Sequence, residues 1–317
     1  MPASIRHGND YIVLGFKESA FGVYSGDYST PDFKIPGVLD FTPSRELIDL
    51  THKTGTIKPQ TNSNVPGRYK FDMTLSGEFT PEVEVFIAQI FGATYSSTPS
   101  YKLSELRSRD SFIVHRHWGK TNTTADEFVS CTITGFKITG SENEALKFEA
   151  TFIGVDYKPE ISLSGITTYY TVTDDDFEIE PVLMNDVTIS TTIGGIGSCF
   201  YSFDFGLTLT PDDDKVLYCG KNSLQRMSFM DIQGELSVNG MYDSGGTFTS
   251  LEEIGDLNSI TVSIDTGSSK PHVLIGHGRV SSPTLADPDK GIFETSATLI
   301  LGGSETDHTE PITYIEA

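Results

Sequence analysis

Between Tyr69 and Phe79 apolar and polar residues alternate strictly, with Tyr69, Phe71, Met73 and Leu75 in one set and Lys70, Asp72, Thr74, Ser76 and Glu78 in the other. Successive strand residues face opposite sides, so the pattern predicts a half-buried strand with one wet face. Thr80-Pro81-Glu82 supplies a helix start, and Val83, Phe86, Ile87 and Ile90 recur at helical spacing until Gly92. Phe112 to Trp118 and the run Val129, Cys131, Ile133 predict further strands. The apolar register then slips to Phe136 and Ile138 around Gly135, which predicts a bulge. Leu146, Phe148, Ala150 and Phe152 alternate with Lys147, Glu149 and Thr151 in a last strand.

The second half repeats this order. Met230, Ile232, Leu236 and Val238 alternate with Asp231, Gln233, Glu235, Ser237 and Asn239 up to a turn expected at Gly240. Thr249 and Glu252 have capping-box spacing, and Leu251, Ile254 and Leu257 share a helical face, which predicts a short helix over 249–257. Ile260, Val262 and Ile264, and then Phe293, Thr295, Ala297, Leu299 and Leu301, close the series as strands. A duplication gives offsets that change only at insertions. Thr42-Pro43 and Thr210-Pro211 stand 168 apart, and Leu75-Ser-Gly77 and Val238-Asn-Gly240 stand 163 apart. Asp110-Ser-Phe112 and Asn258-Ser-Ile260, like Phe152-Ile-Gly154 and Ile300-Leu-Gly302, stand 148 apart. The large step falls where the first copy carries an extra polar segment around 93–109.

The expected architecture is mainly β, with two tandem β-sandwich or barrel domains, residues 1–160 and 161–317, each with a short flanking helix. A hinge is expected around 157–164, and each copy of roughly 150 residues is a usual single-domain size. Between Gly22 and Arg68 the sequence predicts an N-terminal arm and long polar loops containing Pro31, Pro36, Pro43, Pro59 and Pro66. Long loops in a compact domain tend to be functional.

Charge narrows the classes of function. In 317 residues, 22 Lys+Arg face 44 Asp+Glu, a formal net charge of −22. Stable nucleic-acid binding needs clustered basic residues, which this balance argues against. Cys131, Cys199 and Cys219 form no CxxC pair, so neither a disulfide framework nor a zinc ribbon is expected, and a reducing compartment during assembly is the simplest reading. The N-terminal residues lack a signal-peptide pattern, and no apolar run is long enough to span a membrane, so a soluble protein made in a cytoplasm is expected.

Catalytic and ligand-binding patterns are weak. His115 and His117, two apart in a strand, share a side as metal ligands could, but further ligands are not evident and a polar strand face beside Arg116 and Trp118 is the simpler reading. Asp174-Asp175-Asp176 and Asp212-Asp213-Asp214 lack the EF-hand pattern and read as solvated turns, and Asp287 to Gly291 reads as a hairpin turn. Gly194-Gly-Ile-Gly197 and Gly220-Lys-Asn-Ser lack the contexts of phosphate-binding loops. No GxSxG or HExxH occurs, so no enzyme, cofactor or metal site is expected.

The opening Leu14-Gly-Phe-Lys-Glu-Ser-Ala-Phe-Gly22 resembles the N-terminal Gly-x-x-Glu-Ser/Thr-x-Phe-Gly segment of the major tail tube proteins of long-tailed bacteriophages. The strand-helix-strand-strand order and its duplication are similar to theirs across essentially the whole chain. The resemblance implies two tail-tube-like domains, homotrimeric pseudo-hexameric rings formed by joining inner sheets, and rings stacked into a tube. It implies a virion protein assembled in the host cytoplasm, with tape-measure, tail-tip and terminator proteins as partners, DNA as a transient passenger and no membrane. The polar strand faces Asp72, Ser76, Glu78, Asp231, Glu235 and Asn239 are the expected lumen lining, where an acidic wall repels DNA. The loop from Lys53 to Gly67, with Lys53, Thr54, Lys58, Gln60, Asn62 and Asn64, is the expected contact with the adjacent ring. Its counterpart is 212–225, with Asp212, Asp213, Asp214 and Lys221.

Two other classes compete. Tyr24, Tyr28, Tyr169, Tyr170 and Tyr242 could stack on sugars in a carbohydrate-binding or adhesive β-sandwich. Scattered carboxylates leave a β-sandwich hydrolase open. A tail-tip or terminator ring would share the tube fold.

Overall fold

Alternation of the kind seen at 69–79 runs through most of the chain, and the computed structural model turns it into sixteen antiparallel strands and one α-helix among the described residues. These are residues 11–24, 26–49, 64–103, 109–118, 124–164, 166, 168–177, 180–193, 196–211, 229–242, 257–267, 270–281, 284–286, 294–302 and 310–317. The fold is mainly β.

The first strands are β1 (Tyr11–Lys17), β2 (Phe33–Asp49), β3 (Asn64–Glu78), β4 (Ser100–Lys102), β5 (Ser111–Trp118), β6 (Thr124–Ser141), β7 (Lys147–Gly154) and β8 (Asp156–Ser162). Pairings β1–β2, β2–β3, β3–β7, β7–β6, β6–β5 and β5–β1 return to their start, closing a six-stranded barrel. β6 is long enough to change partners. Its first half lies between β5 and β8, and its second half has β7 on one edge. The change falls at a register shift between Ile133 and Gly135, where the sequence predicts a bulge.

The later strands are β9 (Val187–Thr191), β10 (Ile196–Pro211), β11 (Phe229–Tyr242), β12 (Leu257–Ile264), β13 (His272–Val280), β14 (Thr284–Ala286), β15 (Glu294–Leu301) and β16 (Ile312–Glu316). They repeat the order: β10–β11, β11–β15, β15–β13, β13–β12 and β12–β9 match five of the six barrel seams. β14 continues β13 along β15, and β16 flanks β13 as β8 flanks β6.

Register makes the correspondence residue-specific. Leu39 opposes Leu75, which opposes Ala150; Phe203 opposes Val238, which opposes Ala297. All six side chains are buried, and the steps between the rows are 164, 163 and 147. Ile133 opposite Phe152 matches Val280 opposite Leu299, again 147 on. The 163 anchor therefore agrees with the pairing. The 168 anchor does not, because Thr42 opposes Asp72 whereas Thr210 opposes Asp231. The 148 anchor at Phe152 is one residue out, since it would match buried Phe152 with exposed Ile300.

Pro81 to Val83 form a 3-10 turn that leads into α1 (Glu84–Phe91), every residue of which is buried, and Gly92 ends it at φ 75°. Thr80 precedes the turn in extended conformation without a side-chain cap bond. Phe86 meets Phe33 on one barrel wall and Phe136, Phe148 and Phe152 on the other, so the helix fills the space between the walls. The helix expected at 249–257 lies outside the described residues except for Leu257, which opens β12.

Three expectations are corrected. Residues 33–49, expected within polar loops, form β2, whose prolines lie within paired strand: Pro36 opposes Ile12 and Pro43 opposes Phe71. Residues 157–162, expected in the hinge, belong to β8 on β6. Gly240, expected as a turn, lies inside β11.

Candidate assembly surface

The second half of β6 offers its remaining edge to β10, from Ser202 opposite Ser141 to Thr208 opposite Gly135. One ladder thus crosses from the first strand set to the second. The order β2, β3, β7, β6, β10, β11, β15, β14 is an unbroken antiparallel wall of eight strands, four from each set. One row runs across seven of them: Val38, Ser76, Glu149, Lys137, Gly206, Glu235, Ile300, each opposite the next. All seven face away from the cores.

This outward face is hydroxyl-rich and acidic. Asp40, Asp72, Glu78, Glu149, Asp204, Asp231 and Glu235 stand on it against Lys70, Lys137 and Lys147. Asn239 Nδ2 donates to Ser202 Oγ at 2.7 Å, and Ser237 and Thr298 share a hydroxyl bond of 2.8 Å. Lys137 Nζ meets Asp204 Oδ2 at 2.7 Å across the seam between the two sets. All six residues expected at the lumen lie on this single face, with Ser76 half-buried and the others exposed. Sequence patterning could place Lys137, Glu149 and Asp204 on polar strand faces, but only the β6–β10 pairing puts them beside Glu235.

A second contact fixes the two sets together behind the wall. β16 pairs with β13 on one edge and with β4 on the other. Buried Glu84 on α1 accepts from Tyr314 Oη at 2.5 Å and pairs with His272 Nδ1, while Tyr101 stacks on Tyr314. Burial and then the Glu84 charge hold the Tyr314 hydroxyl well above its ordinary pKa. The extra polar segment at 93–109 therefore contributes a strand that ties the halves, a role its composition did not suggest.

The segment carrying the tail-tube resemblance has a structural explanation. Glu18 is buried, and its carboxylate accepts from Gly22 N at 2.9 Å, Ser111 Oγ at 2.5 Å, and Ser130 N and Oγ at 3.2 and 3.0 Å. Gly22 closes the turn at φ 76°, a conformation suited to glycine. At Gly15 a β-carbon would lie 2.0 Å from the Phe33 ring. The motif thus knots β1 to β5 and to β6 at Ser130, itself at φ 53°.

On the opposite wall, residues 168–177 cross the outer face of β1 and β5. His115 and His117 are fully buried rather than on a polar face, and Tyr169 Oη bonds His115 Nδ1 at 2.9 Å and His117 Nε2 at 2.5 Å. Glu127 meets His115 Nε2 at 3.1 Å and Lys158 Nζ at 2.5 Å. Burial alone would raise its carboxyl, but the bonds from His115 and Lys158 prevail and bring it down to about 2. Asp176, expected in a solvated turn, is buried and bonded to Lys34, Tyr170 and the Thr173 amide. Tyr24, Tyr28, Tyr169 and Tyr170 pack around Ile12, Leu14 and Phe16 as the cover of this wall. Arg116 points inward to Asp126 and the Leu39 carbonyl.

Among the described residues no group of three or more His, Cys, Asp or Glu could hold a metal ion, and no helix is long and apolar enough to cross a membrane. Cys131 is buried and Cys199 exposed, both as free thiols, and Cys219 lies outside the described residues. Of the expected inter-ring contacts, Lys53, Thr54, Lys58, Gln60, Asn62, Asp212, Asp213, Asp214 and Lys221 also lie outside them. Asn64 opens β3 opposite Asp49, so 64–67 belong to a strand rather than to a loop. The hairpin turn expected at 287–291 and the rest of the 212–225 loop likewise lie outside the described residues. No protein-family model matches the sequence, and no curated protein is detectably similar to it.

Proposed function

We propose that this chain is a structural virion protein that builds the tail tube of a long-tailed bacteriophage. Homotrimeric, pseudo-hexameric rings stack into a hollow conduit for DNA, and the strand sets β1–β8 and β9–β16 act as two tube domains without catalysis. The observation that carries this reading is the eight-stranded wall, in which two topologically matching strand sets already share one sheet. Three such walls contain twenty-four strands. With a strand spacing of about 4.8 Å and a tilt of about 40°, they close a barrel about 48 Å across and leave a bore of about 40 Å inside the side chains.

The wall's two faces support the orientation. One face carries the packed cores, α1 and the crossing segment 168–177, which need the larger outer circumference. The other carries mostly Asp, Ser, Thr and Gly, small enough for the concave side. An acidic lumen repels DNA and lets it slide, and three chains at −22 each carry −66. Tape-measure, tail-tip and terminator proteins are the partners this role requires.

Negative-stain electron microscopy of the purified chain at rising concentration tests the reading. Long hollow tubes with sixfold-like projections are the expected result. A chain that stays monomeric at every concentration, or forms only closed globular oligomers, would overturn it.

A further inference from the structure

The internal seam is heterologous: the second half of β6 meets β10, two strands that are not counterparts of one another. The register correspondence assigns each a counterpart elsewhere in the chain. β10 corresponds to β2 by a step of 164, and the second half of β6 corresponds to β14 by a step of 147. Among the described residues these two counterparts carry the matching unpaired edges. From Val38 onwards β2 pairs with β3 alone, and β14 pairs with β15 alone. The wall therefore ends in the same two edge types that it joins in its middle.

We propose that the partner of each edge is a second copy of this chain, with β2 of one subunit adding antiparallel to β14 of the next in the register of the internal seam. This deepens the tube reading and rests on it. Asp204 opposite Thr139 becomes Asp40 opposite Ala286, and Phe205 opposite Ile138 becomes Phe41 opposite Leu285. The sequence follows the geometry, since Leu39-Asp40-Phe41 matches Phe203-Asp204-Phe205. Inward and outward sides also agree, because Asp40 and Asp204 both stand on the polar face while Leu39 and Phe203 are buried. Because the contact joins two different edges, each added copy presents a fresh edge until the ring closes. A closed sheet leaves no edge open to uncontrolled pairing. The intermolecular seam has no counterpart of β4 among the described residues, so the internal seam is the stronger of the two.

Cysteine cross-linking of the full chain tests the register. Directly opposed residues of antiparallel strands lie within disulfide range. With Cys199 and Cys219 replaced by serine, the double variant Asp40→Cys, Ala286→Cys is oxidised under assembling conditions and followed by non-reducing gel electrophoresis and electron microscopy. The expected result is a ladder that ends at a closed trimer, absent from either single variant and from the pair Asp72→Cys, Ala286→Cys. Tubes without this cross-link would overturn the edge assignment and leave the tube reading standing. Cross-linked oligomers without tubes would keep the seam and remove the tube. Monomers with neither would overturn both.

Discussion

At the scale of single residues, buried carboxylates organise the first barrel. Glu18 serves donors from three separate strands and turns, and removing it leaves the Ser130 amide and the Ser111 and Ser130 hydroxyls without their acceptor in the interior. Glu18→Ala is expected to lower the unfolding free energy by about 3 kcal/mol, as for breaking a buried charged network, read from urea unfolding with an unchanged slope. Glu127 gives the acid response. Its folded pKa lies at about 2 against an ordinary 4.5, so its contribution is fully present above pH 4.5 and is lost as the pH falls from there towards 2. That contribution amounts to about 3 kcal/mol. Glu127→Gln is expected to flatten the acid limb of a stability-against-pH curve, whereas an unchanged limb would show that other carboxylates set it.

At the scale of elements, the β6–β10 ladder decides whether two strand sets become one wall. Gly140 lies in it, and a β-carbon there would come within 2.7 Å of Phe203 and 2.8 Å of Leu146 and Met184. Gly140→Ala is expected to cost about 1–3 kcal/mol through overpacking at the seam. Gly206, on the same ladder but on the open polar face, has nothing within 4 Å of its β-carbon position. Gly206→Ala is expected to be neutral or to stabilise by about 0.5 kcal/mol, since glycine weakens a strand. Calorimetric melting of the two variants checks the contrast, and equal shifts would contradict the seam geometry. β3, β7, β11 and β15 are legible in the sequence because one face of each is wet and the alternation is clean, whereas β6 is legible as two apolar runs on either side of a slipped register. β2 is not legible there because Pro36 and Pro43 signal loops, whereas both sit in strand pairings that tolerate them.

At the scale of the whole molecule, the charge of the wall is the property exposed to function. Replacing Asp72, Asp231 and Glu235 by lysine changes only exposed side chains of the polar face, so the fold and the edges are left intact. Assembled variant particles are expected to retain duplex DNA on co-sedimentation at low salt and to release it steeply as salt rises, while the parent retains none. Equal retention by both would overturn the proposed placement of the acidic face at a tube lumen.

The sequence by itself determined what depends on local pattern. Strand faces follow from period-two alternation, the helix from Pro81 and the spacing to Gly92, the bulge from the slipped register near Gly135, and an approximate repeat from recurring element order. It also determined the overall acidity and the membership of six polar residues in wet strand faces. Only the tertiary structure decided what depends on residues far apart in the chain. β6 meeting β10 makes one wall from two sets, β4 meeting β16 locks them, and Tyr169 across His115 and His117 converts an apparent polar face into interior. Such contacts depend on burial and edge pairing between distant segments, and no local period records which edge a strand will find.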